Sequence, residues 1–221
     1  MNKKKDKRND FLDLVPRGTR RLLDVGCGSG GLSMRLKEKG IEAVGVEKNE
    51  NLCSLAKEKL DTVISGDVEN LKLDYPEGYF DCIMYADILE HLTEPLNILE
   101  KHKIYLQKDG CVIASIPNVR YYKIILRLIL SGAWDYNDAG MLDRTHVRFF
   151  GLINIIELFE KAGYEIVEIR RNVIAARGFR VLNFIFFNNL KDFLTYQYYI
   201  KAKKSDSLLK TCTDVRKIYK F

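Results

Sequence analysis

Four glycines crowd into LLDVGCGSGG (22–31), at positions 26, 28, 30 and 31, directly after a short apolar run. Glycines between a strand and a helix let the chain turn tightly and let backbone amides approach a ligand, which a nucleotide-like group requires. Glu47 ends the next apolar run, 21 residues after Gly26, where its carboxylate can accept both hydroxyls of a ribose. Ser65-Gly66-Asp67-Val68 closes the third run, where Asp67 can accept a hydrogen bond from an exocyclic adenine amine and Val68 can lie against the ring. A second constellation follows. Asp87, Glu90 and His91 stand at i, i+3 and i+4, so one helical turn would bring them to one face, and His146 comes later in RTHVRFF (144–150). His91 is then a candidate general base for a hydroxyl, with Glu90 and His146 as further catalytic candidates. The same residues, Asp87, Glu90, His91 and His146, are equally candidate ligands of a divalent cation. A third reading has Glu90 and His91 capping the following helix or pairing with Arg144 or Arg148.

These side chains need a scaffold, and from residue 20 short apolar runs alternate with helical patterns, as in a parallel sheet flanked by helices. Strands are expected over 20–25, 41–46, 62–65, 79–85, 111–116 and 164–170. Helices are expected over 32–40, closed by Gly40, then 50–60, 95–106 with Pro95 in its first turn, 119–130, 151–162 and 179–194. Lys108-Asp109-Gly110 reads as the turn before the fifth strand. YQYYIKAKK (196–204) reads as a final strand, antiparallel and at a sheet edge. Between 117 and 150 the period breaks into an aromatic and basic stretch, read as an insertion that carries specificity. Tyr121, Tyr122 and Trp134 there could line an acceptor pocket, whereas Phe149 and Phe150 read as core.

The chain has 221 residues, 47% hydrophobic and 30% charged with four prolines, which is the composition of a globular domain with additions. No apolar run reaches the ~18 residues of a spanning helix, and MNKKKDKRND leads into no apolar segment, so a cytoplasmic location without a membrane span is expected. Five scattered cysteines, 27, 53, 82, 111 and 212, contain no CxxC pair and fit a reducing compartment. The formal charge of +6 sits at the ends: residues 1–8 carry +4 and 201–221 carry +5, leaving 9–200 at −3. The basicity therefore argues poorly for nucleic acid. The reading divides the chain into a basic N-terminal tail (1–19), a catalytic domain (20–203) with its insertion at 117–150, and a basic C-terminal tail (204–221).

In order along the chain, LLDVGCGSG, the acid of VGVEKNE, GDVE, YFDCIMYADILEHL and KDGCVIASIPN resemble the motifs of class I S-adenosylmethionine-dependent methyltransferases, over roughly residues 20–203. The resemblance implies an α/β, Rossmann-like, seven-stranded and mostly parallel sheet with helices on both faces and an antiparallel final strand. It implies S-adenosylmethionine as cofactor, with Gly26, Cys27, Gly28 and Gly30 cradling its methionine end and Asp24 near its amino group. Glu47 would hold the ribose, Asp67 with Val68 the adenine, and Asp87 would border the same site. The segment Asp87-x-x-Glu90-His91 with the later His146 is similar to the metal site of small-RNA 2′-O-methyltransferases and to a segment of ubiquinone-pathway O-methyltransferases. Residues 136–166 resemble the part of bacterial small-molecule methyltransferases that closes over the acceptor.

The expected function is methyl transfer to a small hydroxylated acceptor such as a sugar, a phenol or a lipid precursor, by a monomer or homodimer. Two alternatives stand beside it. One is an RNA 2′-O-methyltransferase with a divalent metal. The other is an NAD-dependent oxidoreductase, because Gly26, Gly28 and Gly31 also satisfy the GxGxxG spacing, although no convincing catalytic Tyr-x-x-x-Lys or comparable hydride-site pattern accompanies it.

Overall fold

The computed structural model describes residues 7–174 and 190–205. Helix α1 (Lys7–Leu12) leads into β1 (Arg21–Val25), α2 (Gly31–Lys37), β2 (Glu42–Glu47), α3 (Glu50–Lys57), β3 (Thr62–Ser65) and β4 (Phe80–Ala86). Then come α4 (Pro95–His102), β5 (Leu106–Pro117), α5 (Tyr122–Ser131), α6 (Leu152–Lys161), β6 (Tyr164–Val173) and β7 (Thr195–Lys204). The seven strands form one sheet in the order β3-β2-β1-β4-β5-β7-β6.

The pairings β2 with β3, β1 with β2, β1 with β4 and β4 with β5 are parallel, whereas β7 runs antiparallel to both of its neighbours. Central strands covered on both faces must be apolar throughout. Accordingly Leu22, Leu23 and Val25 of β1 and Cys82, Ile83, Met84 and Tyr85 of β4 are fully buried. The strand order reverses between β1 and β4, and a crevice outside the carboxyl ends of the strands is expected at such a switch point. The register aligns those ends: Val25 lies beside Val46 and Tyr85, and Ala86 beside Ser115.

Three expectations are corrected. The last strand is not at an edge: β7 lies between β5 and β6, so β6 is the edge strand. Because β7 is antiparallel, its beginning stands at the carboxyl end of β5, with Gln197 opposite Pro117 and Tyr199 opposite Ser115. Lys108-Asp109-Gly110 is not a turn. It runs inside a longer β5, where the register with β4 slips between Phe80 and Cys82. Finally, the segment read as a basic N-terminal tail is not solvated throughout, because Phe11, Leu12 and Leu14 are buried in a cluster with Leu22, Leu36, Cys82, Ile113 and Tyr199.

The helix expected over 179–194 falls outside the described residues up to position 189, and what is described of it is one helical turn, Lys191–Leu194. The C-terminal tail from 206 onward, with Cys212, also lies outside them. Among the described residues no helix is long and apolar enough to cross a membrane. Replacing Leu14, which is fully buried, by alanine should lower unfolding free energy by about 2–5 kcal/mol in urea titration. A solvated tail would give a change within about 0.5 kcal/mol.

Candidate functional site

The end of β1 turns into α2 through three glycines with left-handed backbone, Gly26 (φ 73°), Gly28 (φ 54°) and Gly30 (φ 76°), a region costly for other residues. Two of the three also lack room. A Cβ on Gly26 would stand 2.7 Å from the Ile88 side chain, and one on Gly30 would stand 3.3 Å from the Cα of Ala56. Gly28 differs: nothing lies within 4 Å of the corresponding point, so its backbone faces open space. The amide of Gly28 donates to Glu47 Oε2 at 2.9 Å, and that of Asn49 donates to Glu47 Oε1 at 2.8 Å, so one carboxylate ties the glycine turn to the loop after β2.

Asp24 lies beneath this turn, 1% exposed. Its Oδ2 accepts from Ser33 Oγ at 2.6 Å, while Oδ1 is buried without a partner. Burial pushes its carboxyl up to about 7, the Ser33 hydrogen bond pulling the other way. The Cys27 thiol packs against Gly45, and burial raises its pKa. Asp67, half-buried after β3, accepts from the Glu69 amide at 3.0 Å. Val68 belongs to the main core, which leaves little of its side chain for a ring.

On the β4 side the three candidates at i, i+3 and i+4 do not share one helical turn. Asp87 has φ 53°, and its Oδ1 accepts from Ser115 Oγ and from Gln197 Nε2. Only Leu89–His91 form a single 3-10 turn. The structure brings Glu90, His91 and His146 together, with one potential ligand atom from each within 4.8 Å of the others, and leaves Asp87 outside the group. Of the four candidate ligands only three are grouped, because the left-handed backbone at 87 turns the Asp87 carboxylate toward β5 and β7.

Glu90 is 1% exposed and its Oε2 has no partner. Burial, then the Asp87 carboxylate, raises its pKa to about 8. The rings of His91 and His146 meet edge-on at 4.6 Å, and burial followed by His146 lowers the His91 pKa. His146 Nδ1 lies 3.1 Å from the Met141 carbonyl, which only accepts, so that nitrogen carries the proton. Neither arginine pairs with Glu90 or His91: Arg144 meets Asp138, and Arg148 meets Glu94 and the Thr93 carbonyl. The helix-capping alternative also falls, since no side chain caps α4.

One cavity of about 670 Å³ joins the two halves, reaching from Asp24, Gly26 and Gly28 to Asp87, Glu90, His91 and His146. Its walls include residues the sequence had not marked: Arg8 and Phe11 from α1, Ser115 from β5, and Tyr196, Gln197 and Tyr199 from β7. A glutamine inside the aromatic run YQYYI was the one available signal for the β7 wall. Tyr121, Tyr122 and Trp134 do not line the cavity. Tyr121 packs behind Tyr196 with ring centroids 5.4 Å apart, and Trp134 packs on Phe149.

A carboxyl raised in the folded state favours folding below its ordinary pKa, and that contribution is lost as pH rises through the folded value. For Asp24 the window runs from about 4 to about 7, and the loss is on the order of 3–4 kcal/mol. Urea titrations at pH 4 and pH 8 should show wild type losing more stability than Asp24→Asn across that window.

Residues 2–169 match the methyltransferase-domain family. Similar curated proteins include the ubiquinone biosynthesis O-methyltransferases of Coxiella burnetii, 26% identical over 154 residues (67% of this chain, 64% of the relative), and of Actinobacillus pleuropneumoniae, 28% identical over 119 residues (48% and 50%). The chain spans less than two thirds of the length of these relatives. A SAM-dependent methyltransferase from Archaeoglobus fulgidus superimposes with a TM-score of 0.68 at 23% identity, covering 90% of this chain and 91% of that one, a likeness of fold. With its glycine turn, reversed strand order and antiparallel seventh strand, the chain belongs to the methyltransferase-domain family.

Proposed function

We propose that the chain moves a methyl group from S-adenosylmethionine to a hydroxyl oxygen of a small acceptor, with His91 as the general base. The observation that carries this reading is the single cavity that places the glycine turn and the histidine pair against one space. The residues fit the cofactor. Asp24 Oδ1, buried and unpartnered, suits an ammonium group, and the open space at Gly28 admits a ligand against the backbone. Gly26, Gly28 and Gly30 shape that cradle. Each Glu47 oxygen already accepts one amide and keeps a lone pair for a ribose hydroxyl. Asp67 is assigned the adenine amine.

When bound, the cofactor supplies an electrophilic methyl on a positively charged sulfur. The protein's own work is alignment, water exclusion and proton removal. His91 accepts the proton of the acceptor hydroxyl while its oxygen attacks, and Glu90 and His146 border the same point. Asp87, held by Ser115 and Gln197, borders the cavity between the two halves. The names of the two curated relatives support transfer to oxygen.

A second reading is favoured by the three grouped side chains: Glu90, His91 and His146 hold a divalent cation that binds the acceptor oxygens. The unpartnered Glu90 Oε2 supports it. Chelation followed by reloading separates the two, since activity indifferent to chelation removes the cation.

Calorimetry should show S-adenosylhomocysteine binding and NAD giving no heat, and Asp24→Ala should weaken that binding by about tenfold or more, the value of a charged hydrogen bond. Labelled methyl transfer can be screened on catechols and free sugars. On the acceptor that turns over, His91→Asn should cut the rate by about 10²–10⁴-fold with cofactor affinity unchanged. Full activity of that variant would remove the base.

A further inference from the structure

We propose that Asp143 and Thr145 form a positioning pair that fixes which nitrogen of His91 carries the proton, turning Nε2 into the acceptor presented to the cavity. The inference deepens the reading of His91 as a base and rests on it for its consequence. The two partners come from far apart in the chain. His91 ends the short turn after β4, whereas Asp143 and Thr145 belong to the loop between α5 and α6, and the amides of Val147 and Arg148 fasten that loop to the Glu90 carbonyl at 3.0 Å each.

The argument is a count of protons. A threonine hydroxyl has one proton to give. Thr145 Oγ1 gives it to Asp143 Oδ1 at 2.6 Å, and the Thr145 amide donates to the same oxygen at 2.8 Å. Asp143 is suited to receive both, since these hydrogen bonds hold its carboxyl below the ordinary carboxylate range. Thr145 Oγ1 also lies 3.0 Å from His91 Nδ1, and with its proton committed it can only accept there. The Thr145 carbonyl, 3.2 Å from the same nitrogen, is an acceptor by nature. Both atoms facing Nδ1 are acceptors, so Nδ1 donates and Nε2 keeps its lone pair. Asp143 therefore acts on His91 through Thr145, and neither residue needs to touch the acceptor. Its negative charge, one hydroxyl removed from the ring, also favours the imidazolium that forms when Nε2 takes a proton.

The test is long-range proton–nitrogen correlation NMR on the full chain at constant pH, which reports directly which ring nitrogen is protonated. The chain has three histidines, and the signals missing from His91→Asn identify the one that matters. Wild type should show His91 protonated at Nδ1 alone. Asp143→Ala releases the threonine proton, and Thr145→Val removes the hydroxyl. Both leave the Thr145 carbonyl facing Nδ1 and should shift the Nε2 resonance part of the way toward the protonated position, whereas Thr145→Ser should keep the wild-type pattern. A wild-type ring protonated at Nε2, or a pattern unchanged in both Asp143→Ala and Thr145→Val, overturns the pair. If one of Asp143→Ala and Thr145→Val unfolds, the other decides. The readout needs no turnover, so inactivity of His91 as a base would overturn the proposed function and leave the tautomer result standing.

Discussion

A single van der Waals contact sets the frame for the whole site. Gly26 and Ile88 approach so closely that no side-chain carbon fits between them. Gly26 begins the glycine turn that lines one end of the cavity, and Ile88 lies between Asp87 and the turn carrying Glu90 and His91. The two halves of the cavity are thus referenced to each other through packed atoms rather than through a flexible loop. Because packed interiors transmit small displacements, the separation between the glycine turn and His91 is set by this packing.

The same region concentrates electrostatic strain. Asp24 and Glu90 are both nearly fully buried, and each has one oxygen without a partner. Burying a carboxylate without full hydrogen bonding costs several kcal/mol in its charged form, so both groups shift toward neutrality. Well-packed cores elsewhere in the sheet hold the fold while these two sites remain unsatisfied. Such tension is expected where a protein reserves charge for a ligand instead of for itself.

How much of this could be read in advance follows from where the information lies. Strands β1 to β4 were placed within about a residue, because buried parallel strands write themselves as apolar runs closed by glycine or acid, and β3 matched at both ends. The antiparallel sense of β7 is what the family resemblance implies, but its seat between β5 and β6 is not legible, since pairing partners are a property of the whole sheet. The core role of Phe11, Leu12 and Leu14 was hidden by the neighbouring charge. For the site, the glycine turn and Glu47 were readable because their chemistry is local. The departure of Asp87 was not, because a left-handed aspartate is uncommon and nothing in ADILEH announces one. Thr145 and Asp143 stand beside His146 in the segment 136–166. Their tie to His91 spans 54 residues and exists only once the sheet is assembled.

The position of β7 bears on how the molecule is made. Five parallel-sheet strands, the glycine turn and the histidine pair are all synthesised before residue 151, and they can collapse as the chain leaves the ribosome. The slot beside β5 stays open until residues 195–204 arrive, and β6 has no partner in the sheet before then. Because β7 supplies Tyr196, Gln197 and Tyr199 to the cavity wall, the cavity is complete only once β7 has docked. An exposed strand edge in that interval invites wrong pairing, so the step that completes the pocket is the same one that removes the hazard to solubility.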